Sequence, residues 1–164
     1  MNADAGFDEF FRAEFGRLAA SLVLLGTDRP MAEEFAQEAL YRAYRAWDRV
    51  AKMEHPQAWL YTVGLNLVRR HHRLRPHRPI VDHAGAGPDA PGMGAELTAA
   101  IARLPLDQRM VVVLRHVLGY PTEEAATILR RSPDATRALL HRAVSTLRRD
   151  AALVSTRDAE ASRT

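Results

Sequence analysis

The feature that most constrains this chain is an interruption. From Phe7 to Arg75 apolar residues recur at helical spacing; between Arg75 and Gly94 that periodicity vanishes, and Pro76, Pro79, Gly85, Gly87, Pro88, Pro91, Gly92 and Gly94 follow in quick succession. Helical spacing then resumes. Proline removes a backbone donor and glycine is costly to order, so the stretch extends neither neighbouring segment. A compact domain seldom holds so long a loop without structure of its own. The 164 residues are therefore expected to form an all-α protein of two small helical domains joined by a flexible Pro/Gly-rich linker, the C-terminal one containing a helix-turn-helix. The expected boundaries are 1–75, a linker over 76–95, a second domain over 96–150, and a small-residue, polar tail over 151–164 that frays. No strand pattern competes.

In the first domain, Phe11, Phe15, Leu18 and Leu22 mark an amphipathic helix running to about Gly26. Thr27 or Asp28 can cap the next helix, whose first turns carry Glu33 and Glu34 and whose stripe is Phe35, Ala39, Ala43 and Trp47, widened by Leu40 and Tyr44. Asp48 to His55 reads as a loop, and Pro56 opens a third helix with Leu60, Val63, Leu67 and Leu74 on one side.

In the second domain, Leu97, Ile101 and Leu104 mark a short helix stopped by Pro105. The next holds Met110, Val113, Leu114 and Val117 and ends at Gly119. Thr122 to Leu129 and Pro133 to about Arg149 form two more, with Ser132 as N-cap of the last and Pro133 at its first position. These two, joined by Arg130, Arg131 and Ser132, have the size and turn length of a helix-turn-helix, in which the second helix enters the major groove. Thr136, Leu140, Ala143 and Leu147 recur on its inward side, which leaves Arg137, Ala138, His141, Arg142 and Ser145 free to meet DNA, with Arg148 and Arg149 near phosphates. Spacing by itself does not separate this from an ordinary helical hairpin with a solvated basic face.

Charge narrows the function classes. The net charge is +3, and Lys52 is the sole lysine among 23 cationic side chains. Arginine suits bidentate phosphate and guanine contacts, although a genome rich in G and C produces the same bias, so position decides. Arg69, Arg70, Arg73, Arg75 and Arg78 cluster with His71, His72 and His77 and no acid interrupts them. A run of that kind repels itself unless an anion such as a phosphate backbone is present. Just upstream, Trp59, Tyr61 and Asn66 can supply stacking and a base-edge contact for unpaired nucleotides, or in the case of Trp59 fill the interior.

Other chemistries find little support. There are no cysteines, which excludes disulfides, thiol catalysis and cysteine-rich zinc sites and fits a reducing cytoplasm. His71, His72, His77 and His83 are close in sequence, but adjacent histidines on a helix diverge and no well-spaced carboxylate completes a tetrahedral site, so no metal and no cofactor is expected. Ser21, Ser132, Ser145, Glu33, Glu34 and Glu38 lack a nucleophile-and-base spacing, and no Gly-rich phosphate loop is present, so no catalytic residues are expected. Met1 to Phe15 alternates acids with aromatics, unlike a secretory signal, and no apolar run is long enough for a bilayer, so no membrane partner is expected.

Ala32 to Glu38, then Ala58-Trp59-Leu60-Tyr61 with Asn66, resemble the first conserved domain of extracytoplasmic-function sigma factors, a subfamily of the sigma-70 family of RNA polymerase sigma factors. Leu104-Pro105, Gln108-Arg109, Leu114-Arg115, Gly119, Glu123-Glu124 with Ala126, and Leu140-His141-Arg142-Ala143 with Leu147-Arg148 are similar to the promoter-distal domain of that family. The resemblance covers Phe7 to Arg75 and Glu96 to Arg149 and implies a cytoplasmic, nucleoid-associated subunit that binds core RNA polymerase through its clamp helices and flap, directs it to promoter DNA and helps open it. An anti-sigma factor is the further partner it implies.

Residue by residue, the resemblance implies polymerase docking by Glu33, Glu34, Gln37 and Glu38. It implies a pocket for a flipped minus-ten base in the loop from Asp48 to His55, with Asp48, Arg49 and Lys52, and a melted strand near Trp59, Tyr61, Asn66, Arg69, Arg70 and Arg73. Minus-thirty-five recognition falls to Ser132, Arg137, Ala138, Leu139, His141, Arg142 and Arg148. Departures concern specificity: Arg130 stands where glycine is usual, Pro121 where a capping serine is common, Asp134 where glycine often lies, and Leu139 where a basic residue is frequent. Leu139 can meet a thymine methyl or broaden the core. The alternative reading is a helix-turn-helix regulator that binds operator DNA without polymerase.

Overall fold

The computed structural model describes the backbone of residues 3–75 and 94–161 and the side chains of residues 5–75 and 94–152. The described residues contain helices and turns and no strand. The chain divides into two compact units, one ending at Gly92 and one starting at Met93. The expected linker falls almost wholly on residues 76–93, outside the described residues, as do Arg78, His77 and His83.

The first unit comprises α1 (Ala3–Leu24), α2 (Arg29–Arg45), α3 (Trp47–Val50) and α4 (Pro56–Leu74), with α1, α2 and α4 packed on one another. The α1–α2 corner is built from local chemistry. Gly26 takes φ 93°, a left-handed value that a side chain would resist, and Thr27 Oγ1 donates to Leu22 O at 2.7 Å. Asp28 Oδ1 then accepts from Met31 N at 2.9 Å and caps α2, an interaction worth about 1 kcal/mol. The helix starts directly at Arg29, so Glu33 and Glu34 lie in its second turn.

The core selects different stripes from those expected. On α2 the inner positions are Ala32, Ala36, Ala39, Leu40 and Ala43; four alanines let α1 and α4 come close, and Phe35 is displaced to a half-buried site edge-on to His71, ring centres 5.8 Å apart. Tyr44 is exposed. On α1, Phe10, Glu14, Leu18, Ser21 and Leu22 face inward, while Phe11 is exposed and stacks on Phe15 at 5.4 Å. On α4 the buried positions are Leu60, Tyr61, Gly64, Leu65 and Val68; Val63 and Leu67 are only half-buried and Leu74 is exposed. The first half of the expected loop is helical: Trp47 to Val50 forms α3, held by the fully buried Val50 and by Trp47 packing edge-on to Phe7 at 5.3 Å and against Phe10 at 5.1 Å.

The second unit comprises α5 (Ala95–Arg103), α6 (Leu106–Val112) continued by a π-helical turn (Val113–Val117), α7 (Thr122–Leu129) and α8 (Pro133–Ala161). The wider turn is followed by Leu118 N donating to Val113 O and by Gly119 at φ 74°. Met110 to Leu114 are all buried, whereas Val117 and Leu97 are exposed at the ends of their helices. α8 continues past Arg149 to Ala161, through most of the segment expected to fray.

Candidate nucleic-acid interface

The outer face of α4 is the first candidate surface. A residue advances about 100° around a helix, so positions 59, 66, 70 and 73 share one side and positions 61, 64, 65 and 68 the other. The first set is accordingly open: Trp59 and Asn66 are half-exposed, and Arg70 and Arg73 are exposed. Arg69 is half-buried at the edge of this stripe. Asp48, Arg49 and Lys52 are exposed on α3 and the turn after it, which precedes α4 in the same unit.

Tyr61 does not belong to this surface. It is 1 % exposed, and a side chain sealed between α1 and α4 cannot stack on a nucleotide. Its hydroxyl is buried beside the Ser21 side chain, and Ser21 Oγ donates to Arg17 O at 2.8 Å. Burial, reinforced by the nearby Glu14 carboxylate, pushes the phenol up to about 12. Glu14 is itself 3 % exposed and 3.6 Å from the Arg17 guanidinium; burial raises its pKa, with Arg17 opposing. This buried polar group was not anticipated, since an acid within an aromatic-rich helix reads as a surface residue until its neighbours are known.

α2 carries the second surface. Glu34 and Gln37 are exposed, and among the described residues neither makes an ion pair or a side-chain hydrogen bond. Glu33 and Glu38 are held back, by Arg29 at 3.0 Å and by Arg42 at 2.7 Å. Two shallow depressions of about 430 Å³ flank them, one lined by Glu34, Phe35, Gln37, Glu38, Tyr41 and Leu67, the other by Phe7, Phe11, Leu40 and Tyr44 together with Gln37 and Tyr41. Gln37 and Tyr41 therefore sit on the ridge between them.

The third surface lies on α8. The turn from α7 is closed by Arg130 at φ 55°, ψ 47°, with Arg130 N donating to Thr127 O at 3.1 Å and Arg131 N to Ala126 O at 2.9 Å, a pattern ordinarily completed by glycine. Ser132 Oγ accepts from Ala135 N at 3.2 Å and so caps α8, as its place before Pro133 predicts. Thr136, Leu139 and Ala143 are buried beneath α8, while Arg137, Ala138, His141, Arg142 and Arg148 are exposed above. Leu139, 4 % exposed, is a core residue and not a base contact; Leu140 and Ser145, expected on opposite sides, are both half-buried. Pro121 leaves the start of α7 without a side-chain cap.

Beneath this surface Arg109 is 1 % exposed and donates to Leu104 O at 2.9 Å, tying the α5–α6 corner. Burial lowers its pKa to about 10, so it stays charged at neutral pH. Arg131 pairs with Asp107 of α6, and Arg103 lies 3.4 Å from Asp150. Among the described residues no three metal-ligating side chains come together, and no helix is long and apolar enough to cross a membrane.

Residues 11–76 match the Sigma-70 region 2 family and residues 94–147 the family described as Sigma-70, region 4. The chain is 31 % identical over 154 residues to an RNA polymerase sigma-E factor of Streptomyces avermitilis, covering 88 % of this chain and 84 % of that one. It belongs to the extracytoplasmic-function sigma factors. An EcfG sigma factor of Rhodopseudomonas palustris is 31 % identical, across 79 % of this chain and 76 % of the relative. The fold is shared with the sigma factor RpoE of Bartonella quintana, solved with the anti-sigma factor NepR, at TM-score 0.74 and 22 % identity over 88 % of this chain and 95 % of that one. It is also shared with CnrH, solved with the cytosolic domain of CnrY, at TM-score 0.68 and 24 % identity over 93 % and 90 %. As a sigma factor, the chain serves promoter-directed transcription by RNA polymerase, within a family whose members are not enzymes.

Proposed function

We propose that the three surfaces divide the work of promoter recognition and opening. Glu34 and Gln37 on the α2 ridge dock on core polymerase, with Glu33 and Glu38 released from Arg29 and Arg42 to contribute. Asp48, Arg49, Lys52, Trp59, Asn66, Arg69, Arg70 and Arg73 hold the melted minus-ten strand. Arg137, Ala138, His141, Arg142 and Arg148 meet the minus-thirty-five element, with Ser132 supporting that helix through its cap.

The observation that carries this reading is the sorting of α4. Trp59, Asn66, Arg70 and Arg73 share one open face while Tyr61, Gly64, Leu65 and Val68 share the sealed one. Such a face offers stacking, a base-edge contact and phosphate neutralisation in one track. Trapping an extruded base lowers the cost of unpairing, so opening needs no hydrolysis by this subunit and no catalytic residue, metal or cofactor is assigned to it.

The functional division runs over 1–75 and 96–150, with the linker over 76–95 threading into polymerase and 151–164 as an appended tail. An anti-sigma protein is a partner in this reading, on the precedent of the sigma factor RpoE solved with the anti-sigma factor NepR. The site of action is the cytoplasm, at the nucleoid.

The test is assembly with purified core polymerase. Glu34→Lys with Gln37→Ala should weaken binding at least tenfold, the scale of losing about 1.4 kcal/mol of charge-assisted contacts, with the helical content unchanged. Unaltered affinity removes the docking assignment. DNA binding that is complete without polymerase would instead favour an ordinary helix-turn-helix regulator.

A further inference from the structure

On α8 the guanidinium of Arg137 is already engaged. Its Nη2 donates to Asp134 Oδ1 at 2.6 Å, and its Nη1 lies 3.7 Å from Glu123 Oε1 on α7. Neither acid is required by the packing: the Asp134 side chain is 91 % exposed and that of Glu123 71 %. Asp134 shares its side of α8 with the exposed Ala138 and His141. Two carboxylates on a surface that approaches a polyanion oppose phosphate binding and weaken attachment to any sequence.

Their geometry supplies the compensation. A guanidinium presents five N–H donors in a rigid plane, and with Asp134 on Nη2 and Glu123 near Nη1 each terminal nitrogen keeps a second hydrogen for another acceptor. A fixed planar fork matches guanine O6 and N7, whereas a freely swinging arginine neutralises whichever phosphate is near. Asp134 comes from the first turn of α8 and Glu123 from the first turn of α7, so the two anchors reach Arg137 from different helices and the turn at Arg130 sets the distance between them.

We propose that Asp134 and Glu123 form a carboxylate clamp that orients Arg137 toward one guanine and makes these two acids determinants of promoter specificity. The proposal rests on the assignment of α8 to the upstream element. The clamp exchanges general affinity for discrimination: it removes an arginine from phosphate binding and commits it to one base pair.

The test uses holoenzyme assembled from the full chain and a promoter pool randomised across the upstream element, with bound and input DNA sequenced. Wild type should prefer guanine at one position, and Arg137→Ala should erase that preference. Asp134→Asn combined with Glu123→Gln, which keep side-chain shape, should reduce the same preference roughly five- to tenfold, the lower part of what one bidentate contact contributes. The same pair should raise binding to unrelated duplex and steepen its salt dependence. Thermal melting should match wild type, since both acids are exposed.

If the paired substitution leaves the guanine preference intact while Arg137→Ala removes it, the clamp is refuted and the α8 assignment stands. A shift of preference at a different base pair would also overturn it, because Asp134 would then be reading a base itself. Should Arg137→Ala alter no position, the assignment of α8 falls and the clamp with it.

Discussion

Arg130 is the residue whose replacement should most clearly improve this protein. It sits at φ 55°, ψ 47°, and is the sole non-glycine with positive φ among the described residues. An L side chain in that region places Cβ against the following carbonyl and costs about 1–2 kcal/mol. Glycine removes the clash and returns about 0.4–1 kcal/mol through the larger entropy of the unfolded chain. Arg130→Gly should therefore stabilise the second unit by about 0.5–1 kcal/mol and raise its midpoint by roughly 3–6 °C for a unit of this size. Both hydrogen bonds of the turn are made by backbone N–H groups and persist.

The assay exploits where the tryptophans lie. Trp47 and Trp59 are the two in the chain and both belong to the first unit, so fluorescence follows that unit while far-ultraviolet circular dichroism follows both. Arg130→Gly should shift the dichroism transition in urea and leave the fluorescence transition in place. Arg130→Ala keeps Cβ and removes the charge, and should change stability by less than about 0.5 kcal/mol. If glycine stabilises no more than alanine, strain at this turn is not the cause. A shift in the fluorescence midpoint would show that the effect is not confined to the turn.

Asn66→Ala should slow open-complex formation while leaving closed-complex binding near wild type, read by permanganate footprinting and gel shift on the same holoenzyme; equal loss in both would remove its role on the single strand. Tyr61→Phe keeps the buried ring and should change stability by less than about 1 kcal/mol while leaving opening by the folded protein unchanged, so a specific opening defect would return Tyr61 to the DNA surface. Glu14 has a folded pKa raised above its ordinary 4.5, so the folded state binds more protons than the unfolded one, and stability falls as pH rises through and above 4.5. Glu14→Gln should flatten that decline and stabilise the first unit near neutral pH, as chemical denaturation across a pH series would reveal; an unchanged slope would mean the carboxylate is solvated.

Local chemistry made a good deal of this protein legible before any packing was known. The Asp28 and Ser132 caps, Pro56 and Pro133 at helix starts, and Gly119 at a helix end act within one turn of chain, where partners are fixed by sequence distance alone. The outward set on α8, Arg137, Ala138, His141 and Arg142, followed from the same periodicity. Family motifs carried the function, because they span both helical segments in order.

What periodicity could not decide was which edge of a broad apolar stripe faces in. α4 offers Leu60, Tyr61, Val63, Leu65, Leu67 and Val68 as candidates, and only contact with α1 and α2 rotates Tyr61 and Leu65 inward and leaves Val63 and Leu67 at the margin. Leu139 was ambiguous for the same reason until α6 and α7 packed beneath α8. Glu14, Arg109 and the carboxylates around Arg137 were illegible because their meaning lies in partners across space: Tyr61 for Glu14, a backbone carbonyl for Arg109, and an acid from another helix for Arg137. Sequence by itself determined helices, their ends and the family, since these depend on neighbours within a few residues. Tertiary structure alone decided which polar groups are buried, because desolvation is a property of what surrounds a side chain and not of the chain that carries it.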